Sequence, residues 1–168
     1  YEDEKKIASY YNDPSNPNSI AGNYINQVFI DQHNLVWVAT NNGISILDQK
    51  NGKFTALYDA KNINPLKGIP VNCIIQDKKG NYWFGTEIGL YKFATKEKNF
   101  THYTSNTIDL NALSGNSISY LLEDRNGNIW VGTQGNGLNI FDPIKNKFVS
   151  RNDQKLKEFS KEFINSIY

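Results

Sequence analysis

"DRNGNIWVGTQGNGLNIFD", residues 124–142, sets two Asp, four Gly and one Trp into an apolar alternation. Acids and glycines at this density can cradle a cation or a phosphate. They can equally turn a corner between strands, and the rest of the chain has to decide. Trp130 has two siblings, Trp37 and Trp83, at spacings of 46 and 47 residues, and the segments around all three align. Residues 25–54 read "INQVFIDQHNLVWVATNNGISILDQKNGKF" and residues 71–100 read "VNCIIQDKKGNYWFGTEIGLYKFATKEKNF". Residues 118–148 read "ISYLLEDRNGNIWVGTQGNGLNIFDPIKNKF", with one extra residue in "QGNG". Twelve positions before each Trp stands an apolar residue (Ile25, Val71, Ile118), and six before stands an Asp (Asp31, Asp77, Asp124). Three after comes a Thr (Thr40, Thr86, Thr133), six or seven after a Gly (Gly43, Gly89, Gly137), and a Phe closes each unit (Phe54, Phe100, Phe148).

Each unit reads as four short strands broken by Asn, Gly and Lys-Asn turns. Strand a covers 25–30, 71–76 and 118–123, and strand b, with the Trp, covers 35–40, 81–86 and 128–133. Strand c covers 43–48, 89–94 and 137–142, and strand d covers 53–58, 99–104 and 147–151. A four-stranded meander with this period is the sequence signature of a β-propeller blade. Val36, Trp37 and Val38 are all large and apolar, so both faces of strand b need cover, as in a blade between two others. The expected class is all-β: a single propeller segment over 1–168, with blades at 25–58, 71–104 and 118–151. Its ends continue the pattern. "IAGNYI" at 20–25 matches "LSGNSI" at 113–118, and the same offset lays Ile7 on Phe100 and Tyr10 on Tyr103. Residues 5–11 therefore read as the last strand of a preceding blade, and 163–168 as the first strand of a following one. "QKLKEFSKEF", 154–163, carries helical spacing at Leu156, Phe159 and Phe163 and reads as a short rim helix.

Bulk properties narrow the function. With 18 Lys+Arg against 17 Asp+Glu the net charge is +1, so no domain-scale basic field favours nucleic acid. Cys73 is the lone cysteine, in the strand-like run "PVNCIIQD", and reads as a small core residue. With His33 and His102 as the two histidines, the chain supports neither a zinc site nor a Cys–His nucleophile. No metal and no cofactor is expected. No apolar run approaches the ~20 residues needed to cross a bilayer, so this segment is not expected to insert in a membrane. The chain opens on "YEDEKKIASYY" and reads as part of something longer.

Recurrence settles the opening question. Asp31, Asp77 and Asp124 each end strand a, where a carboxylate can accept hydrogen bonds from the backbone of the following turn. A catalytic carboxylate is needed once rather than in every unit. "QGNGL" lacks the helix and Lys of a phosphate loop. The Thr after strand b suits a local hydrogen bond to the b–c loop. Function is better sought where the units differ: the b–c loops "NNG", "EIG" and "QGNG", and the d–a connections 12–23, 59–70, 104–116 and 152–163. In an up-and-down blade these lie on one face, where loops on a rigid scaffold carry binding sites. The candidates for ligand contact are Tyr24, Asn41, Asn42, Glu87, Gln134 and Asn136, whose amides and aromatic ring suit sugar hydroxyls and C–H faces.

The repeat resembles that of the two-component regulator propeller family, close to V-x-x-I-x-x-D-x-x-G-x-L-W-[IV]-G-T-x-x-G-L-x-x-[FY]. The second unit matches with Val71, Ile74, Asp77, Gly80, Trp83, Gly85, Thr86, Gly89 and Leu90. The first departs from it at Asn34 and Ala39, both compatible with the fold. The resemblance implies the periplasmic sensor half of a hybrid two-component system. In such proteins two seven-bladed propellers precede a β-sandwich, a membrane helix and a histidine kinase, and many respond to oligosaccharides. It implies a non-catalytic segment, an oligosaccharide ligand and a homodimeric full-length protein. Two other readings stay open: a streptogramin-lyase-like enzyme, which would need a catalytic His near the channel, and a structural interaction platform. Blades left open at both ends imply either further propeller blades as partners or self-association.

Overall fold

The alternation of each unit forms a four-stranded antiparallel sheet, and the computed structural model describes residues 8–150, 153 and 156. Blade 1 consists of β1 (Ile25–Ile30), β2 (Val36–Thr40), β3 (Gly43–Asp48) and β4 (Lys53–Thr55), in that spatial order. Blade 2 consists of β5 (Val71–Gln76), β6 (Tyr82–Thr86), β7 (Gly89–Ala94) and β8 (Asn99–Tyr103). Blade 3 consists of β9 (Ile118–Glu123), β10 (Ile129–Thr133), β11 (Leu138–Asp142) and β12 (Lys147–Phe148). The chain is all-β, three blades of a partial propeller.

Strands β1, β5 and β9 lie side by side as the inner strands. Each carries a bulge that leaves Asn26, Asn72 or Ser119 outside the ladder. Asn26 and Asn72 use this freedom in the same way: each Nδ2 donates to the first residue of the next inner strand, Val71 O and Ile118 O, at 2.8 Å. Gln27 adds a two-way clamp, accepting the Ile74 N–H at 2.7 Å and donating to Ile74 O at 3.3 Å.

The core lies between blades. Trp37 tilts onto Tyr82 of the next blade at 4.2 Å, and Trp83 onto Phe141 at 5.1 Å. Both Trp are buried. Burial of such a side chain stabilises by roughly 1.5–3 kcal/mol or more, so these seams hold the molecule together. Each d–a connection also sinks one aliphatic side chain into the core: Ile20, Leu66 and Leu113. They occupy one repeating pattern, Asn-x-Leu/Ile-x-Gly, at 18–22, 64–68 and 111–115. The burial of its aliphatic position emerges only in the structure.

The outer strands are shorter than the alternation predicts. Strand d pairs only over Lys53–Thr55 in blade 1 and Lys147–Phe148 in blade 3, against expected 53–58 and 147–151. In blade 1 the chain leaves the sheet because its next partners lie elsewhere: Leu57 packs into the seam with blade 2, and Ala60 N–H donates to Lys98 O. In blade 3 one further bond, Val149 N–H to Ile140 O, follows the strand. Of the expected strand 5–11, residues 5–7 lie outside the described residues and 8–11 are not in a strand. Tyr10 nevertheless meets Phe54 edge-on at 5.2 Å, as Tyr103 meets Phe148 at 5.7 Å. The expected strand 163–168 lies outside the described residues, as does the expected helix 154–163 except for Leu156, which is buried against Leu138 and Ile140.

Candidate functional site

The a–b corners carry the repeated carboxylates Asp31, Asp77 and Asp124. Asp31 Oδ1 accepts the N–H groups of His33 and Leu35, and Oδ2 accepts the indole N–H of Trp37 at 2.9 Å. Asp77 does the same with Lys79, Asn81 and Trp83, and Asp124 with Asn126, Asn128 and Trp130. The turn residue after each Asp is left-handed: Asn34 at φ 61°, Gly80 and Gly127 both at 84°. Asn tolerates that conformation, which is why it can replace glycine here. Burial pushes the Asp31 carboxyl up, but hydrogen bonds from Tyr82, Trp37, Leu35 and His33 outweigh it, and its pKa lies below the ordinary value. Asp124 is lowered likewise, burial being outweighed by Asn128, Trp130 and Asn126. A carboxylate with its lone pairs taken this way has structural work. The indole bond was not foreseen, although the constant six-residue spacing was its signal.

Asp31 has a further donor that its siblings lack. The Tyr82 hydroxyl crosses from blade 2 to donate to Oδ2 at 2.6 Å. Burial first, then the Asp31 carboxylate, pushes the Tyr82 pKa far above its ordinary value. This residue ties two blades across 51 positions of sequence.

The opposite edge holds the variable loops. Thr40, Thr86 and Thr133 each donate their hydroxyl to the Gly that opens strand c, at 3.0, 2.7 and 2.7 Å. The d–a connections bind directly to the b–c loops: Asn42 Nδ2 donates to Ala21 O, Gly68 N–H to Asn42 O, and Gln134 N–H to Ser117 O. Tyr24, Asn41 and Asn42 come together in blade 1, where Asn41 N–H donates to Tyr24 O. Gln134 and Asn136 sit together in blade 3, and Glu87 stands at the blade 2 loop; all six candidates are exposed. Of these, Asn42 lines a cleft. That cleft, of about 270 Å³, lies between the two connections flanking blade 1 and is lined by Asn12, Asp13, Asn16, Ser45, Ala56, Tyr58, Asn64 and Lys67 among others. Sequence reasoning missed most of these lining residues, because the cleft is made by two segments that meet only in the fold.

Other chemistry-bearing residues have structural partners. Burial pushes the Cys73 thiol up to about 12, so it stays protonated. His102 stacks on Tyr91 at 4.0 Å, with Nε2 at 3.0 Å from Ile88 O. A second groove, of about 490 Å³, runs along the inner strands past Gln27, Cys73 and Tyr120. Among the described residues no cluster of three or more His, Cys, Asp or Glu could hold a metal ion, and no helix is long and apolar enough to cross a membrane.

With this geometry in view, comparison with known proteins is direct. A family model described as a two component regulator propeller matches residues 65–87 and 112–135. Each match runs from the buried connector leucine through strand a, the Asp corner and strand b to the b–c loop. A histidine kinase of Formosa agariphila is 33% identical over 91 residues, covering 51% of this chain and 7% of that protein. The extracellular domain of a chain described as a hybrid two-component system of B. thetaiotaomicron superposes with a TM-score of 0.68 at 26% identity, over 84% of this chain and 18% of that one. PorZ, a surface component of the type-IX secretion system of Porphyromonas gingivalis, shares the fold at a TM-score of 0.52 and 22% identity, over 75% of this chain and 17% of its own. This chain therefore spans only a small part of each relative.

Proposed function

We propose, from the premise that this chain carries two-component regulator propeller repeats, that it is a ligand-sensing segment of the extracytoplasmic propeller of a two-component sensor. The ligand we propose is an oligosaccharide, the compartment the periplasm, and the signalling output a histidine kinase elsewhere in the full-length protein. The observation that carries this reading is the division of labour within each blade. Identical bonds fix the Asp corners and Thr hinges, while the variable d–a and b–c loops are tied to that frame and offer amides, hydroxyls and aromatic rings. A rigid frame with varied loops is how binding sites are generally built.

A non-catalytic role is supported by where the reactive groups sit. The Cys73 thiol is held protonated, His102 is stacked on an outer strand, and the repeated carboxylates are occupied by backbone and indole donors. The alternative of a lyase-like enzyme would need a histidine on the inner strands. The exposed apolar side of blade 1 supports partners that are further blades or a second copy of the chain, with a homodimer as the full-length state.

Isothermal calorimetry of the whole ectodomain against an oligosaccharide panel tests the reading. Saturable binding of at least one glycan is expected. A panel without a single binder, alongside binding of a peptide, would overturn it in favour of a protein-interaction platform.

A further inference from the structure

The three blades differ at one pair of facing positions on strands c and d. In blade 2 the pair is Tyr91 and His102, whose rings stack at 4.0 Å and 8°. In blade 3 the strand c position is Asn139, whose amide accepts the Ser114 N–H and donates to Ser114 Oγ, both at 2.9 Å. In blade 1 the corresponding residues are Ser45 and Ala56. Both are small, and both line the cleft of about 270 Å³. Blade 2 fills this space with two rings and blade 3 with an amide; in blade 1 Ser45 Oγ accepts the equivalent connector N–H, from Ala21, and the smaller side chains leave a cleft beside that bond.

We propose that this cleft, between residues 12–21 and 56–67, is a binding site for one hydroxyl-rich ring, a single pyranose unit of a glycan. The inference rests on the sensor reading above and places its recognition site in blade 1. At about 270 Å³ it lies just under the roughly 300–1,000 Å³ of sites for drug-sized ligands, which suits one ring rather than a chain. Its amides are anchored at one end. Asn42 Nδ2 donates to Ala21 O at 2.8 Å, while Asn16 Oδ1 and Asn64 Oδ1 accept the N–H groups of Asn18 and Leu66 at 3.0 Å. Each opposite end, Asn42 Oδ1 and the Asn16 and Asn64 Nδ2 groups, is left to meet ligand hydroxyls as acceptor or donor. Ser45 Oγ accepts the Ala21 N–H at 2.9 Å and has its own O–H to donate. Half-exposed Tyr58 offers a flat apolar face for ring C–H groups. Lys67 and Asp13 stand on the wall with opposite charges, a balance that selects hydroxyls over a formally charged ligand.

Blade 2 itself supplies the test. In the whole ectodomain, Ser45→Tyr with Ala56→His restores the stacked pair and fills the cleft. Ala56→Tyr alone obstructs it while keeping the Ser45–Ala21 bond, and serves if the double variant does not fold. Saturation-transfer NMR with the methyl glycosides of glucose, galactose, mannose, xylose, rhamnose and glucuronic acid reads occupancy. The expected result is transfer to at least one neutral glycoside, weakened by about tenfold or more in either filled variant, a loss of about 1.4 kcal/mol, and unchanged in Glu97→Gln, an exposed turn position of blade 2. Transfer to none of them, or equal transfer in the filled variants, overturns the proposal. An oligosaccharide that still binds the Ala56→Tyr ectodomain with wild-type affinity sinks the cleft and leaves the sensor reading standing. Loss of the sensor reading itself would show as no oligosaccharide binding at all.

Discussion

The side of blade 1 that faces away from blade 2 can be compared position by position with the same side of blades 2 and 3. Val28, Ile74 and Leu121 are equivalent, yet Val28 is 58% exposed while Ile74 is at 0% and Leu121 at 4%. The seams between blades also use polar anchors. The Gln32 N–H of one corner donates to Gln76 Oε1 of the next blade, and the Lys78 N–H donates to Glu123 Oε2. At the equivalent position blade 1 carries Ile30, 61% exposed, and where blade 2 has Tyr82 it carries Val36. One repeat thus presents two kinds of surface. A seam between described blades is apolar with fixed polar latches, whereas the first side of blade 1, among the described residues, is apolar without them. An exposed apolar patch of this kind suits an interaction surface.

The largest test of this comparison is a pair of truncations read by chemical denaturation. Ile74→Ala is expected to cost about 2–5 kcal/mol, as for other fully buried aliphatic side chains, and Val28→Ala less than about 0.5 kcal/mol in this chain. Equal losses would mean that the first side of blade 1 is already covered.

Next comes the corner latch. Asp31→Ala strands two backbone N–H groups, an indole and the Tyr82 hydroxyl, and should cost about 1.5–3 kcal/mol. Asp124→Ala, at a half-buried corner without the tyrosine, should cost less. The pH dependence follows from the lowered pKa values of Asp31 and Asp124. Each carboxylate's contribution is present above its ordinary value of 3.8 and is lost as the pH falls from there through the lower folded value. Melting temperatures measured from neutral to acid pH should therefore fall less steeply for Asp31→Asn than for the wild type.

Tyr82→Phe removes one hydrogen bond among several between blades 1 and 2, that to Asp31, and should cost about 1.5 kcal/mol. A change near zero would show that ring packing on Trp37, rather than the hydroxyl, carries that part of the seam. The smallest effect is expected from Ile30→Gln, which gives blade 1 the acceptor type of its siblings. At this exposed position stability should move by less than about 0.5 kcal/mol. Light scattering should meanwhile show weaker self-association, because the exposed apolar patch is interrupted.

Much of the fold was legible because its determinants are local and repeated. Period-two alternation, Asp corners, left-handed Asn34, Gly80 and Gly127, and hinge threonines all act within one hairpin and recur at fixed spacing. Strand d was overextended for the opposite reason. The alternation continues through Leu57 and Tyr58, but the competing contacts of Leu57 and Ala60 belong to the next blade. The candidate site was half legible. Loop chemistry pointed to the edge that holds the cleft and to Asn42, but not to Ser45 on β3, Ala56 just beyond β4 or Lys67 on a connector.

The sequence by itself determined that the chain is built of repeating four-stranded blades, where each corner falls and which loops vary. Tertiary structure alone decided that Tyr82 reaches Asp31 across the seam and that small residues at Ser45 and Ala56 leave a cleft rather than a filled corner. The reason is physical. Hairpins are fixed by hydrogen bonds between near neighbours in the chain, whereas seams and clefts depend on which side chains of different blades come within a few ångströms of each other.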